Sequence, residues 1–163
     1  MSESIIINKN IDDEGIYVEV VKQVKSLLSK QDNLVTNLAN FTAILKEAFN
    51  KISWVGFYLA SGDQLYLGPF QGKAACTKIQ FGKGVCGTCA EKKETVIVEN
   101  VDEFEGHIAC DSGSKSEIVV PILYNGAVWG VLDIDSYQLN AFNRTDKKYL
   151  EVLSEFLSTG IIY

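Results

Sequence analysis

The sequence predicts an α+β fold in which helices pack on an antiparallel sheet of about six strands. Apolar residues recur at helical spacing near both ends of the chain, a pattern typical of amphipathic helices. The middle of the chain instead holds short segments rich in β-branched and aromatic residues, separated by turn signals such as "SGD" and "NG". Because strands and helices are segregated along the chain, we expect the strands to be antiparallel.

Two amphipathic helices open the chain and a third closes it. We expect the first within residues 12–30 and the second within 31–49, because apolar side chains recur there every three to four positions. Asp12 is the candidate N-cap of the first helix, and Thr145 is that of the last. The residues that carry the pattern are Ile16, Val20, Val24, Leu27, Leu28, Leu34, Leu38, Phe41, Leu45, Phe49, Tyr149, Leu150, Leu153 and Leu157.

The strand segments lie between these helices. "ISWVGFYLA" at residues 52–60 and "QLYLGPF" after it form a predicted hairpin, and "ACTKIQF" at 75–81 is a third strand. A short helix is predicted from about Val85, after a glycine-rich loop, and "TVIVEN" follows as a strand. The last two strands, "SEIVVPILY" and "AVWGVLDIDS", flank Asn125 and Gly126, the strongest short hairpin signal.

Composition excludes several classes of partner and location. The 163 residues carry a net charge of −6 and no cluster of lysine and arginine, so we expect neither nucleic acid nor an anionic membrane as a partner. No apolar run approaches the ~18 residues of a membrane span. The opening "MSESIIINKNIDDEG" lacks a basic start, so we expect no targeting segment and a cytoplasmic location.

Four cysteines, Cys76, Cys86, Cys89 and Cys110, are candidates for chemistry. Free cysteines are often small buried apolar residues, yet three of these lie in or beside polar, glycine-rich loops. The spacings Cys86-x-x-Cys89 and His107-x-x-Cys110 fit a tetrahedral zinc site. A set of redox thiols is the third interpretation. In it, Cys86 starts a helix and Cys110 lies in a loop that is able to approach another thiol.

A cluster of carboxylates is predicted at one end of the last hairpin. Asp133 and Asp135 share a strand face because side chains alternate, and antiparallel pairing brings Glu117 close to both. Three converging acids would bind an ammonium group or keep one carboxyl protonated as a general acid; the alternative is a solvated strand end. Trp54 and Tyr58 share a face of the first strand, either as core residues or as the wall of an apolar slot.

Six motifs, in this order and spacing, resemble those of free methionine-R-sulfoxide reductases, a family built on a single GAF domain. They are "WVGFYL", "LGPFQGKAAC", "GKGVCGT", "GHIACD", "SEIVVPIL" and "GVLDIDS". The resemblance is dense over residues 54–136. It implies one GAF domain over residues 1–163, with N-terminal helices in 1–50, a catalytic core in 51–136 and a C-terminal helix in 143–163.

The resemblance also implies a reaction, the reduction of the R epimer of free methionine sulfoxide rather than of the sulfoxide within proteins. Cys110 is implied as the attacking thiol, which becomes a sulfenic acid. Cys76 and Cys86 would help to resolve it to a disulfide, and a dithiol such as thioredoxin would reopen that bond. No cofactor and no metal are expected, and the family pattern does not require Cys89.

The substrate site implied by the resemblance combines the acids with the aromatic residues. Glu117, Asp133 and Asp135 would hold the amino acid, and one of the aspartates would donate a proton to the sulfoxide oxygen. Trp54 and Tyr58 would line the pocket for the methylthio end. The family also suggests a homodimer, for which the first helix is a candidate contact. The rival interpretation is a GAF module that senses a small molecule without catalysis.

Overall fold

The computed structural model describes residues 6–163 and confirms the predicted α+β class. The strands are β1 (Trp54–Ser61), β2 (Gln64–Gln71), β3 (Lys78–Gln80), β4 (Val96–Val98), β5 (Ser116–Tyr124) and β6 (Ala127–Ser136). They form one antiparallel sheet in the order β3-β2-β1-β6-β5-β4. Residues 1–5, part of the predicted N-terminal region, lie outside the described residues.

Helices cover both faces of this sheet. They are α1 (Asp13–Leu27), α2 (Leu34–Ala48), α3 (Gly84–Lys92) and α4 (Arg144–Phe156), and α4 continues into a π-helical turn at Leu157–Ile161. Residues of α1, α2 and α4 share one apolar core with the sheet, and α3 packs on the opposite face. Over residues 6–163, every helix is too short or too polar to cross a membrane.

Alternation of side chains along the strands separates the two apolar layers. Val55 and Phe57 of β1, with Leu132 and Ile134 of β6, belong to the core shared with α1, α2 and α4. The intervening positions belong to the layer beneath α3, which includes Trp54, Tyr58, Val119 and Val131. The odd-numbered acids of β6 therefore lie on the α3 side of the sheet.

The hairpin between β5 and β6 forms as the sequence predicts. Asn125 and Gly126 have φ values of 51° and 77°, the two left-handed positions that a tight hairpin turn with the correct twist requires. The resulting register places Glu117 opposite Asp135. The next pair on the same face contains Asp133, so the three predicted acids share one face of two adjacent strands.

The third strand is shorter than the predicted 75–81 and leaves Cys76 in a loop. The hydroxyl of Tyr58 donates to the Cys76 carbonyl oxygen (2.9 Å), and Trp54 Nε1 donates to the Lys73 carbonyl oxygen (3.0 Å). Because these carbonyls accept hydrogen bonds from β1 side chains, this segment is held beside the sheet without joining it as a strand.

The helix caps match the prediction at α1 and differ at α4. Asp12 accepts a hydrogen bond from the Gly15 amide (2.9 Å), as expected of an N-cap. In α4 the cap is Asn143 rather than Thr145, whose amide donates to Asn143 Oδ1 (2.8 Å). Asp146 completes a capping box by accepting from the Asn143 amide (2.8 Å), and this reciprocal pair favours the earlier start.

Asp146 joins α4 to the rest of the core. Its buried carboxylate accepts hydrogen bonds from the Tyr17 hydroxyl (2.7 Å) and from Lys51 Nζ (2.8 Å). We expect Asp146→Ala to lower the free energy of unfolding by about 3 kcal/mol, since Lys51 loses its buried counter-charge. Urea denaturation measures this. Glu14→Ala, which breaks an exposed pair with Lys148, is the control. Equal losses in both variants would contradict the assignment.

Candidate active site

A small cavity, partly open to solvent, lies between α3 and the strand end that carries the acids. Its lining includes Cys86, His107, Cys110, Glu117, Asp133 and Asp135. A second cleft shares Cys110, Asp133 and Asp135 with it and adds Trp54 and Tyr58. The structure therefore brings all the predicted substrate-binding residues together around Cys110, although their roles stay predictions.

Cys110 forms a disulfide with Cys76, and their Cα atoms are 5.5 Å apart. Both residues lie in loops, one before β3 and the other before β5. Cys86 and Cys89 are buried free thiols. The pairing takes Cys110 out of the zinc set that the spacing suggested, and Cys89 Sγ donates to the Val119 carbonyl oxygen (3.6 Å). That zinc hypothesis is therefore wrong for this structure.

Glu117 and Asp133 are buried and Asp135 is half-buried, no lysine or arginine of residues 6–163 pairs with them, and the pKa values of all three are raised. Burial raises the pKa of Glu117, and the charge of Asp135 adds to the effect. Burial, then Glu117, raises the pKa of Asp133. The pKa of Asp135 is also raised, by burial and then by Asp133, although a hydrogen bond from Ser114 opposes the shift. These carboxyls thus retain protons above the usual range for acids.

Two unusual groups complete the acid cluster. Asp133 Oδ1 is buried and has no hydrogen-bond partner among the described residues. Cys86 Sγ donates to Glu117 Oε1 at 4.0 Å, and burial followed by the charge of Asp133 raises the pKa of the Cys86 thiol. The raised pKa values favour the neutral forms of these groups, and the cluster holds one acceptor that no described residue uses.

His107, the chain's single histidine, borders the same cluster. Its Nε2 lies 3.5 Å from Glu117 Oε2. Burial lowers the pKa of His107, although the charge of Asp102 opposes this. The raised pKa of Glu117 and the lowered pKa of His107 both favour the neutral forms of the two groups in this contact.

A polar network around Asp111 holds the two disulfide loops together. The Tyr137 hydroxyl donates to Asp111 Oδ2 (2.6 Å), and the Gly113 amide donates to Oδ1 (2.9 Å). Lys73 Nζ lies 3.5 Å from Oδ2. The hydrogen bond from Tyr137 is the main cause that lowers the pKa of Asp111. Sequence reasoning missed Lys73 and Tyr137, because exposed polar residues outside any periodic pattern give no local signal.

The first turn of α3 offers backbone amides to the cavity. The N-cap position is Lys83, whose side chain makes no capping hydrogen bond, and the first amides of a helix lack intrahelical acceptors. Gly87 allows α3 to approach closely, since a Cβ there would lie 2.3 Å from the Gln80 carbonyl oxygen. A helix start of this kind attracts carboxylate and other anionic groups.

Comparison with known proteins agrees with this fold. A model of the GAF domain family matches residues 33–161. GAF domain-containing protein A of Dictyostelium discoideum is 48% identical over 158 residues, which cover 96% of this chain and 99% of that protein. The chain is thus a GAF-domain protein along most of its length.

Two further relatives carry a functional name. Free methionine-R-sulfoxide reductase of Saccharomyces cerevisiae is 43% identical over 164 residues, covering 96% of this chain and 91% of that one. A crystal structure of free methionine-R-sulfoxide reductase from Neisseria meningitidis, in complex with its substrate, superposes with a TM-score of 0.89. It is 46% identical and covers 94% of this chain and 93% of that one. The chain belongs to the free methionine-R-sulfoxide reductase family.

The raised pKa values of the acid cluster make the free energy of unfolding depend on pH. An acid whose pKa is raised on folding binds its proton more tightly in the native state. Above the unfolded pKa of about 4, the unfolded state loses its proton first, so the free energy of unfolding falls as pH rises towards the native pKa. We expect Asp133→Asn to remove part of this fall and to stabilise the protein more at about pH 8 than at about pH 4.

Urea denaturation at the two pH values measures the difference between the Asp133→Asn variant and the parent protein. Asp63→Asn, at an exposed turn position, is the matched control and should show the same small effect at both. A stability gain from Asp133→Asn that does not depend on pH would show that Asp133 is already ionised in the folded protein.

Proposed function

We propose that this chain reduces free methionine-(R)-sulfoxide to methionine with its own cysteine thiols. The observation that carries the proposal is a disulfide, Cys76–Cys110, adjoining a cavity lined by three clustered carboxyl groups. The names of the yeast and Neisseria relatives support the same substrate. Each part of a free amino acid then has a matching group in the cavity.

The acid cluster suits the ammonium group of the substrate. Glu117, Asp133 and Asp135 have no cationic partner among the described residues, so an ammonium group would offset the cost of ionising them. The amides at the start of α3 suit the substrate's carboxylate. Trp54 and Tyr58, whose ring centroids lie 6.1 Å apart, offer an apolar wall for the methylthio end. A peptide-bound sulfoxide lacks both charges and is therefore a poor fit.

The first chemical step is attack by Cys110 on the sulfoxide sulfur. The thiolate of Cys110 donates an electron pair to that sulfur, and a carboxyl of the acid cluster donates a proton to the oxygen. The oxygen then transfers to Cys110, which leaves methionine and a sulfenic acid. The substrate is reduced by two electrons and the cysteine sulfur is oxidised by two.

Cys76 performs the second step in this proposal. Its sulfur attacks the sulfenic sulfur of Cys110, the S–S bond forms and the oxygen departs as water. The disulfide in the structure corresponds to the product of this step. Cys86, which the family resemblance grouped with the resolving thiols, remains a thiol in this state.

A dithiol reductant of the thioredoxin type would reopen the disulfide by exchange. A cytoplasmic location, where such reductants maintain thiols, is part of the same proposal. The homodimer also stays a prediction, and cross-linking at residues of α1 would test it.

The activity itself is tested with the two epimers of free methionine sulfoxide and a thioredoxin system. We expect consumption of the R epimer only, with no reduction of its N-acetylated form, because acetylation removes the ammonium charge. Cys110→Ser should abolish turnover, and Cys89→Ser should retain it. Binding of the R epimer without methionine release, and with all four thiols intact, would favour the rival sensing module instead.

The order of the thiols is tested by a single turnover without reductant, followed by mass spectrometry. Cys76→Ser should release about one methionine per chain and leave a sulfenic acid on Cys110 that a nucleophilic trap labels. Cys86→Ser should still form the Cys76–Cys110 disulfide. A Cys86–Cys110 disulfide in the parent protein before any Cys76 bond would contradict the proposed order.

A further inference from the structure

Cys86 is one of the two buried thiols that the proposed chemistry leaves unused. It lies in the first turn of α3, with its sulfur facing the acid cluster. Its Sγ, a carboxylate oxygen of Glu117 and a carboxylate oxygen of Asp133 all lie within 4.8 Å of one another. These three residues are each at least nine-tenths buried, and each offers a group that binds metals when it is deprotonated.

A further observation points to a ligand among these groups. Asp133 Oδ1 is buried, lines the cavity and has no partner within the described residues; buried oxygens without a partner are rare and need an explanation. His107 Nε2 lies 3.5 Å from Glu117 Oε2 at the same cavity. It lies outside the group of three donors, so it contacts one ligand without being a ligand itself.

We propose that Cys86, Glu117 and Asp133 form a binding site for a borderline-soft divalent cation such as Zn²⁺. Zinc binds cysteine and carboxylate donors tetrahedrally, and three protein ligands leave its fourth position open to water. Magnesium and calcium prefer all-oxygen surroundings, whereas a thiolate favours zinc and related ions. The set differs from the one that the sequence spacing suggested, because it needs neither Cys89 nor Cys110.

Charge favours the same occupant. No lysine or arginine of residues 6–163 forms an ion pair with Glu117 or Asp133, which share this buried site with the Cys86 thiol. A dication would supply the positive charge that the two carboxylates and the thiolate lack. Because Cys110 is not a ligand, the ion binds whether or not the Cys76–Cys110 disulfide is present.

The ion would occupy the place that the proposed function gives to the substrate's ammonium group. It would therefore act as a competitive inhibitor, and this consequence rests on the proposed function. The binding site itself rests only on the described geometry.

The test uses the disulfide-bonded protein and Co²⁺, a spectroscopic substitute for zinc. In this state Cys86 and Cys89 are the only free thiols of the chain, so a thiolate-to-cobalt charge-transfer band reports one of these two. We expect the band to saturate at one Co²⁺ per chain and to disappear on addition of Zn²⁺, but not of Mg²⁺. Cys86→Ser should remove the band, and the matched variant Cys89→Ser should retain it.

Further variants keep the test decisive if Cys86→Ser fails to fold. Asp133→Asn and Glu117→Gln should each weaken Co²⁺ binding by at least about tenfold while retaining the thiolate band. The absence of a thiolate band, its survival in Cys86→Ser, or its loss in Cys89→Ser would overturn the site. Binding that leaves the KM for free methionine-(R)-sulfoxide unchanged would support the ion site and overturn the proposed position of the substrate.

Discussion

The pairing of β5 with β6 is the constraint on which the site depends. It places Glu117 opposite Asp135 and brings Asp133 to the neighbouring position on the same face. Three carboxyl groups at this spacing cannot all be ionised in a buried site without a cation. The cavity therefore retains protons when it is empty and favours positive charge when it is filled. Both properties suit the reduction of an amino acid sulfoxide.

Two buried aspartates have different roles: Asp146 stabilises the fold, and Asp133 belongs to the candidate active site. Asp146 is surrounded by donors, namely the Tyr17 hydroxyl, Lys51 Nζ and the Asn143 amide. Asp133, which is also buried, leaves one oxygen without a partner among the described residues. The first residue holds α4 on the core. The second costs stability, which the apolar layers on both faces of the sheet offset, and local costs of this kind concentrate at functional sites.

The two free thiols lie on a helix, whereas the two bonded cysteines lie in loops. Cys86 and Cys89 lie on α3, where helix packing holds them at fixed positions, and both remain thiols. The two bonded cysteines lie in loops that β1 side chains and the Asp111 network hold beside the sheet. Loops adjust more readily to the short sulfur–sulfur distance of a disulfide than packed helices do.

Local signals in the sequence determined the fold class, the helices, the β5–β6 hairpin and the shared face of the acids. Helical spacing, period-two alternation and the Asn125-Gly126 turn act over a few residues, so they are readable without the fold. Tertiary structure alone decided that Cys110 pairs with Cys76, that Cys86 faces Glu117, and that Lys73 and Tyr137 meet at Asp111. The bonded cysteines are 34 residues apart in sequence. Contacts at such separations depend on how whole elements pack, which no short stretch of sequence encodes.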